Sequence, residues 1–123
     1  GIAPFLGMLD ENKKHIQIEA YLGLRTEPSF RLYKKQLEGF LKDKKLSLLN
    51  LAYSQQDEHI YVQHLLKLDG KYLAKSLADQ SIIMICGSLA MYQEVMETLD
   101  TISLEFNNSP ISAYSAQIKS DCY

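Results

Sequence analysis

Three short apolar runs, separated by stretches with helical periodicity, constrain the fold of this chain more than any other feature of its sequence. The first run, His15–Leu24, alternates apolar and polar residues, as in a half-buried strand. The other two, Leu46–Ala52 and Ser81–Cys86, are almost continuously apolar, which is typical of strands covered on both faces. Because strands that alternate with helices form parallel sheets with right-handed crossovers, this order predicts an α/β fold with a parallel sheet flanked by helices.

The segments between these runs carry the spacing of amphipathic helices, with prolines and glycines at their ends. The predicted helices begin at Pro4 and at Pro28, cover Ile60–Leu68, Tyr72–Leu77 and Leu89–Phe106, and restart after Pro110, before a short tail from Lys119 to Tyr123. No internal repeat or low-complexity segment interrupts this order, and 123 residues form one domain by default.

Composition excludes several classes of function. A net charge of -2 argues against nucleic acid as a partner. Two cysteines without a Cys-x-x-Cys pair, and three histidines without helical i,i+4 spacing, predict no disulfide framework and no metal site. The longest apolar stretch, Ser81–Met91, is too short to span a bilayer. We therefore expect a cytoplasmic protein, with any membrane anchor lying in a part that precedes residue 1.

Residues that could contact a ligand follow each of the three apolar runs. They are Arg25 after the first, Ser54 and Gln55 after the second, and Gly87 and Ser88 after the third. Because parallel sheets bind ligands at the carboxyl ends of their strands, these positions predict the ligand site.

Five short motifs in matching order resemble the NADP-binding domain of the diflavin reductases, within the ferredoxin–NADP reductase superfamily. They are Gly1–Phe5, Arg25, Leu51–Ser54 with Ile60–Leu66, Cys86-Gly87, and the ending Asp121-x-Tyr123. Members of this group include microsomal cytochrome reductase, the nitric oxide synthase reductase module and the sulfite reductase flavoprotein. The resemblance covers nearly all of residues 1–123 and implies a Rossmann-like NAD(P)H-binding domain of an oxidoreductase that also uses FAD.

The resemblance places the adenosine end of the nucleotide after the second strand, where Ser54, Tyr61 and Gln63 match family positions. Gln55 replaces the family's arginine, and His59 lies about where the family has a lysine. A 2′-phosphate is best met by guanidinium or ammonium groups. The sequence therefore predicts NADP or NAD as the cofactor and does not decide between them.

Gly1, Ile2, Ala3 and Pro4 match the end of the family's Gly-rich turn, whose helix N-terminus faces the pyrophosphate of the nucleotide. Arg25 matches an arginine that lies near the cofactor phosphates. These five residues are therefore predicted to bind the pyrophosphate.

The nicotinamide end of the site is implied by matches near the third strand and the C-terminus. Cys86-Gly87 matches the family's Cys-Gly-Asp, whose cysteine lies beside the nicotinamide carbon that delivers hydride, and Ser88 replaces the aspartate. Asp121 and Tyr123 match the family's Asp-x-aromatic ending, in which the terminal ring stacks on the flavin. Cys86, Asp121 and Tyr123 are thus the predicted catalytic residues.

The resemblance also implies what surrounds this domain. In the family, a further strand lies between those matching 15–24 and 81–86, so we expect a fragment that lacks its first strand. We then expect either direct pairing of these two strands or a homodimer. The expected partners are an FAD-binding domain of the parent chain and a flavodoxin-like domain, a haem or another electron acceptor. The isolated fragment is expected to be inactive.

Two other classes of function stay open. One is an assembly or binding module of the same fold that no longer binds nucleotide, suggested by Gln55 and Ser88. The other is an unrelated doubly wound protein such as a flavodoxin-like regulator, against which the ending Asp121-x-Tyr123 argues.

Overall fold

The computed structural model of the chain describes residues 2–24, 31, 33–53 and 66–122. Within this part, helices and strands alternate as the sequence predicts. The elements are helix α1 (Ala3–Asp10), strand β1 (Ile18–Leu24), helix α2 (Lys34–Lys42), strand β2 (Leu48–Tyr53), helix α3 (Gly70–Ala78), strand β3 (Ile82–Gly87), helix α4 (Leu89–Asn107), a 3-10 helix (Ile111–Gln117) and strand β4 (Ile118–Cys122). Of the helix predicted over 60–68, residues 66–68 are described and are helical.

The four described strands form one parallel sheet in the order β2-β1-β3-β4, which confirms the predicted α/β class. Strands β1 and β3 pair directly, with Ile18 opposite Ile82 and Leu22 opposite Cys86. This is one of the two arrangements predicted for these strands, and it makes them the central pair of the sheet. The homodimer stays a prediction.

Each face of the sheet is covered by its own apolar core. On one face, α1 and α2 contribute Phe5, Leu9 and Leu37 to a buried cluster that includes Met84 and Cys86 of β3. On the other face, helices α3 and α4 and the 3-10 helix pack against Tyr21 of β1 and alternate residues of β3. The buried residues of that second cluster are Tyr21, Leu66, Leu73, Ala74, Leu77, Ile83, Ile85, Met91, Val95, Leu99, Ile102 and Ile111. Among the helices of the described part, none has the length and apolar character needed to cross a membrane.

Strand β1 is buried on both faces, although its alternating residues predict one solvent-facing side. Glu19 and Tyr21, which the alternation places on the polar face, are both 0% exposed. The reason is that α3 and α4 cover this face of the sheet as completely as α1 and α2 cover the other. The alternation identifies which side chains are polar, but the prediction that this face is exposed to solvent is wrong.

The predicted C-terminal tail from Lys119 onward is wrong for the described residues, because 118–122 form strand β4 beside β3. Side chains near the preceding turn fix its entry. Gln117 Nε2 donates to the carbonyl oxygens of Leu77 and Ser81, at 2.9 Å each. These bonds join the end of the 3-10 helix to the segment that leads into β3, so β4 starts level with its neighbour.

Candidate functional site

We infer that the N-terminus of helix α1 points towards the carboxyl edge of the sheet. Its C-terminal end is held at the opposite edge, where Asn12 Nδ2 donates to the carbonyls of Ile16 and Lys45, each at 2.9 Å. These two residues precede β1 and β2. At the other end of α1, Ile2 packs against the apolar cluster on this face of the sheet, which includes Cys86.

The first turn of α1 therefore presents the positive end of its helix dipole beside the strand ends. Pro4 lies in this turn, and the turn carries no acidic side chain that would repel an anion. The N–H groups of Phe5 and Leu6 both turn back to the carbonyl of Ile2. Ile2, Ala3 and Pro4 lie at the start of this helix, and their predicted contact with a pyrophosphate stays a prediction.

The structure brings Cys86 and Asp121 together. They are register partners on β3 and β4. Their pair is the second-last of that ladder, and Gly87–Cys122 is the last. Register partners on adjacent strands point to the same face of a sheet, with the strands about 4.8 Å apart. Two of the three predicted catalytic residues, 35 positions apart in sequence by subtraction of their numbers, therefore lie side by side at the carboxyl edge.

Cys86 carries a neutral thiol. It is buried, and this burial, with a smaller contribution from nearby Cys122, raises the pKa of the Cys86 thiol to about 12. A thiol with a raised pKa stays protonated at physiological pH and is therefore a poor nucleophile, because nucleophilic attack needs the thiolate. Its uncharged, weakly polar sulfur suits contact with an uncharged ring.

Cys122 lies on the opposite face of the sheet from Cys86. It packs against the cluster formed under α3 and α4, and its Sγ donates to the carbonyl of Ile85 at 3.6 Å. Neither cysteine is in a disulfide bond. Since neighbouring residues of a strand alternate between faces, the two thiols are separated by the sheet, and Cys122 makes a matched control for Cys86.

Gly87 and Ser88 form the turn that follows β3. Gly87 has a φ of 156°, a conformation that side chains rarely adopt. Ser88 is the N-cap of α4, and its Oγ accepts a hydrogen bond from the backbone N–H of Met91 at 3.0 Å. A serine can cap this helix as an aspartate would. The departure from the family's Cys-Gly-Asp pattern therefore keeps the turn intact.

Replacing Ser88 with alanine is expected to lower the free energy of unfolding by about 1 kcal/mol, because it removes the cap from the longest helix. Urea unfolding of wild type and variant measures this difference. Ser112→Ala, which changes an exposed serine of the 3-10 helix, is the control and should differ from wild type by less than about 0.5 kcal/mol. Equal losses from both variants would contradict the capping role of Ser88.

Eight of the predicted site residues lie outside the described residues. They are Gly1, Arg25, Ser54, Gln55, His59, Tyr61, Gln63 and Tyr123. Strands β1 and β2 end at Leu24 and Tyr53, directly before Arg25 and Ser54. The predicted roles of these eight residues stay predictions. Among the described residues, no three His, Cys, Asp or Glu side chains are grouped so that they could hold a metal ion.

A buried polar network on the α3 side of β1 escaped the sequence analysis. Glu19 Oε1 accepts hydrogen bonds from Ser76 Oγ at 2.9 Å and from Gln17 Nε2 at 3.1 Å, and Gln17 Nε2 also donates to Tyr72 OH at 2.9 Å. Burial raises the pKa of Glu19, and these hydrogen bonds only partly oppose that rise. The one available signal was a carboxylate within an otherwise apolar strand.

The parallel sheet flanked by helices is the fold of a Rossmann-like NAD-binding domain. Residues 1–97 match the family model of the oxidoreductase NAD-binding domain, and the chain belongs to that family. The resemblance drawn from the sequence motifs is thereby confirmed at the level of the family.

Relatives of the chain carry a more particular name. The chain is 34% identical over 114 residues to the NADPH–cytochrome P450 reductase of Homo sapiens. This alignment covers 85% of the chain and 17% of that relative. It is 36% identical over 116 residues to the enzyme of the same name from Rattus norvegicus, which covers 86% of the chain and again 17% of the relative. The chain thus spans about one-sixth of the length of these relatives.

Proposed function

We propose that this chain binds NAD(P)H and orients its nicotinamide towards an FAD held on a separate domain, within a flavin-dependent oxidoreductase. The observation that supports this most directly is the pairing of Cys86 with Asp121 at the carboxyl edge of the sheet. The N-terminus of α1 lies at the same edge, on the same face as Cys86. A nucleotide lying along this edge would have its pyrophosphate at the helix and its nicotinamide at the thiol.

The residues present fit the nicotinamide ring. A buried thiol that stays neutral at physiological pH can lie against the ring without placing a negative charge there. Asp121 beside it would place a carboxylate near the nicotinamide, where it would favour the positive charge of the oxidised ring. Bound NAD(P)H supplies the hydride and FAD accepts it, so the protein contributes binding, orientation and electrostatics.

The remaining proposed contacts follow the family pattern along the chain. Ser54, Gln55, His59, Tyr61 and Gln63 would bind the adenosine end of the nucleotide. Gly1, Ile2, Ala3, Pro4 and Arg25 would face the pyrophosphate, Gly87 and Ser88 would support the turn beside the nicotinamide, and Tyr123 would cover the flavin. The relatives are named for NADPH and cytochrome P450, which makes a haem protein one proposed electron acceptor.

Anaerobic titration of the full-length, flavin-loaded protein with NADPH and with NADH tests this proposal, with bleaching of the flavin absorbance as the readout. Reduction by both nucleotides with little preference is the expected result, because Gln55 and His59 stand where the family has cations for the 2′-phosphate. Reduction by NADPH alone would support the hydride-transfer function and show that another basic group replaces the missing arginine. Reduction by neither nucleotide would overturn the proposal and leave an assembly module of the same fold.

A further inference from the structure

The thioether of Met91 lies across the ends of both central strands. A β-carbon added to Gly87 would lie 2.5 Å from Met91 Cε and 2.7 Å from Met91 Sδ. A β-carbon added to Gly23 would overlap the same sulfur. Both glycines are therefore needed for this packing, because any side chain at either position would displace the thioether.

A hydrogen bond from its own backbone anchors Met91 at the start of α4. It lies in the first turn of α4, and its N–H donates to Ser88 Oγ at 3.0 Å. It is 9% exposed and belongs to the core cluster under α3 and α4. The cap thus fixes the distance between the turn after β3 and the methionine that packs back onto that turn.

The two glycines flank the residues to which the proposed function assigns nucleotide contacts. Gly87 directly follows Cys86, on the strand that ends beside the nicotinamide position. Gly23 lies two residues before Arg25, which is assigned to the pyrophosphate. Added to Gly87, a β-carbon would lie only 3.4 Å from the Cα of Gly23, so the two strand ends approach closely beneath Met91.

We propose that Met91 is a positioning residue that holds the end of β3, and with it Cys86, against the end of β1, and so sets how the nicotinamide meets the thiol. This inference rests on the proposed function. A methionine suits the position because its unbranched, polarisable side chain fills an irregular gap over bare backbone. The β1–β3 ladder ends at Cys86, and Gly87 pairs with β4 alone. Shortening Met91 would remove the packing over this last residue of β3, and a shift near 1 Å is enough to slow a positioned reaction markedly.

The rate of flavin reduction in the full-length, flavin-loaded protein tests the role of Met91. It is measured by anaerobic stopped flow at a saturating concentration of NADPH or NADH, whichever reduces wild type faster. Met91→Ala is expected to slow reduction about tenfold. Met91→Leu should stay within about twofold of wild type, because leucine conserves the volume. Met96→Ala is the matched control, since Met96 lies on the same helix and packs against the same cluster; its reduction rate should equal that of wild type.

A second readout separates positioning from general loss of structure. The dissociation constant of ADP-ribose, or of its 2′-phosphate for an NADPH-dependent protein, reports the part of the site that lacks nicotinamide, and it should change less than about twofold in Met91→Ala. If Met91→Ala does not fold, Met91→Val takes its place, with a severalfold slower reduction expected.

Three results would overturn the inference. They are a wild-type reduction rate in Met91→Ala, equal slowing in Met91→Ala and Met96→Ala, and parallel weakening of ADP-ribose binding. Failure of wild type itself to be reduced by either nucleotide would instead overturn the proposed function, and the inference with it. The two failures are therefore distinguished by the wild-type trace alone.

Discussion

Replacing Cys86 with alanine is expected to slow reduction of the flavin by NAD(P)H on the order of 100-fold in the full-length, flavin-loaded protein. The thiol lies at the carboxyl end of a central strand, beside Asp121 and on the face that carries α1. Alanine removes the sulfur that would contact the nicotinamide and leaves a space into which the ring can move. The residues proposed to bind the adenosine end follow β2 in the sequence and do not include Cys86, so the nucleotide dissociation constant should change little.

Stopped-flow flavin reduction measures this effect, and Cys122→Ala is the control. Cys122 is the second cysteine of the chain, one register pair further along the same ladder but on the opposite face of the sheet. Its variant should reduce the flavin within about twofold of the wild-type rate. Equal slowing in both variants would show that the loss comes from disturbed strand packing, and it would remove Cys86 from the proposed site.

The architecture could be predicted because the apolar runs and the helical stripes repeat in one order. Burial of Leu37 in α2 and of Phe5 and Leu9 in α1 follows from their spacing on helix faces. The continuous apolar run that became β3 indicated a strand covered on both sides, and its residues from Ile83 to Gly87 are buried. These features depend on local patterns of six to ten residues, which a single sequence displays directly.

Strand β4 could not be predicted, because nothing local distinguishes it. Its sequence, Ile118–Cys122, has charged residues at 119 and 121 and is partly exposed at the sheet edge. It is a strand because β3 offers a free edge and because Gln117 anchors the preceding turn. That information lies in contacts with residues up to 40 positions away.

The site shows the same division between local and distant information. The motif around Cys86 and the ending at Asp121 were each too short to specify a place in the fold, and only the family resemblance related them. The register of β3 and β4 makes them neighbours. By contrast, the cap formed by Ser88 and the packing of Met91 over Gly23 depend on helix and strand ends that no motif describes.

Glu19→Gln is expected to stabilise the chain at pH 8 by about 2 kcal/mol, within the range for an unpartnered buried polar group. Glu19 is 0% exposed, and its Oε2 has no hydrogen-bond partner within the described part of the chain. A charged carboxylate at this position has hydrogen bonds to only one of its two oxygens. Glutamine keeps an oxygen that can accept from Ser76 and Gln17 and removes the charge, at the smaller cost of an unpartnered N–H.

The pH dependence follows from the direction of the pKa shift. Burial raises the pKa of folded Glu19 above its ordinary value of 4.5, so folding favours the protonated carboxyl group. Its contribution to stability is therefore full below pH 4.5 and is lost as the pH rises through the pKa of the folded state. The free energy of unfolding of wild type should fall over this window relative to that of Glu19→Gln.

Urea unfolding of both proteins at intervals between pH 4 and pH 8 measures this difference. The two curves should lie close together at the acidic end, separate as the pH rises from 4.5 through the raised pKa of folded Glu19, and run parallel above it, since in this window only the wild-type residue 19 releases a proton on unfolding. Glu97→Gln is the control, because Glu97 is an exposed glutamate of α4, and its curve should follow wild type throughout. A constant offset between Glu19→Gln and wild type at every pH would mean that packing, and not ionisation, decides the effect. The pKa of Glu19 would then be the same in the folded and the unfolded chain, with the hydrogen bonds from Ser76 and Gln17 offsetting its burial.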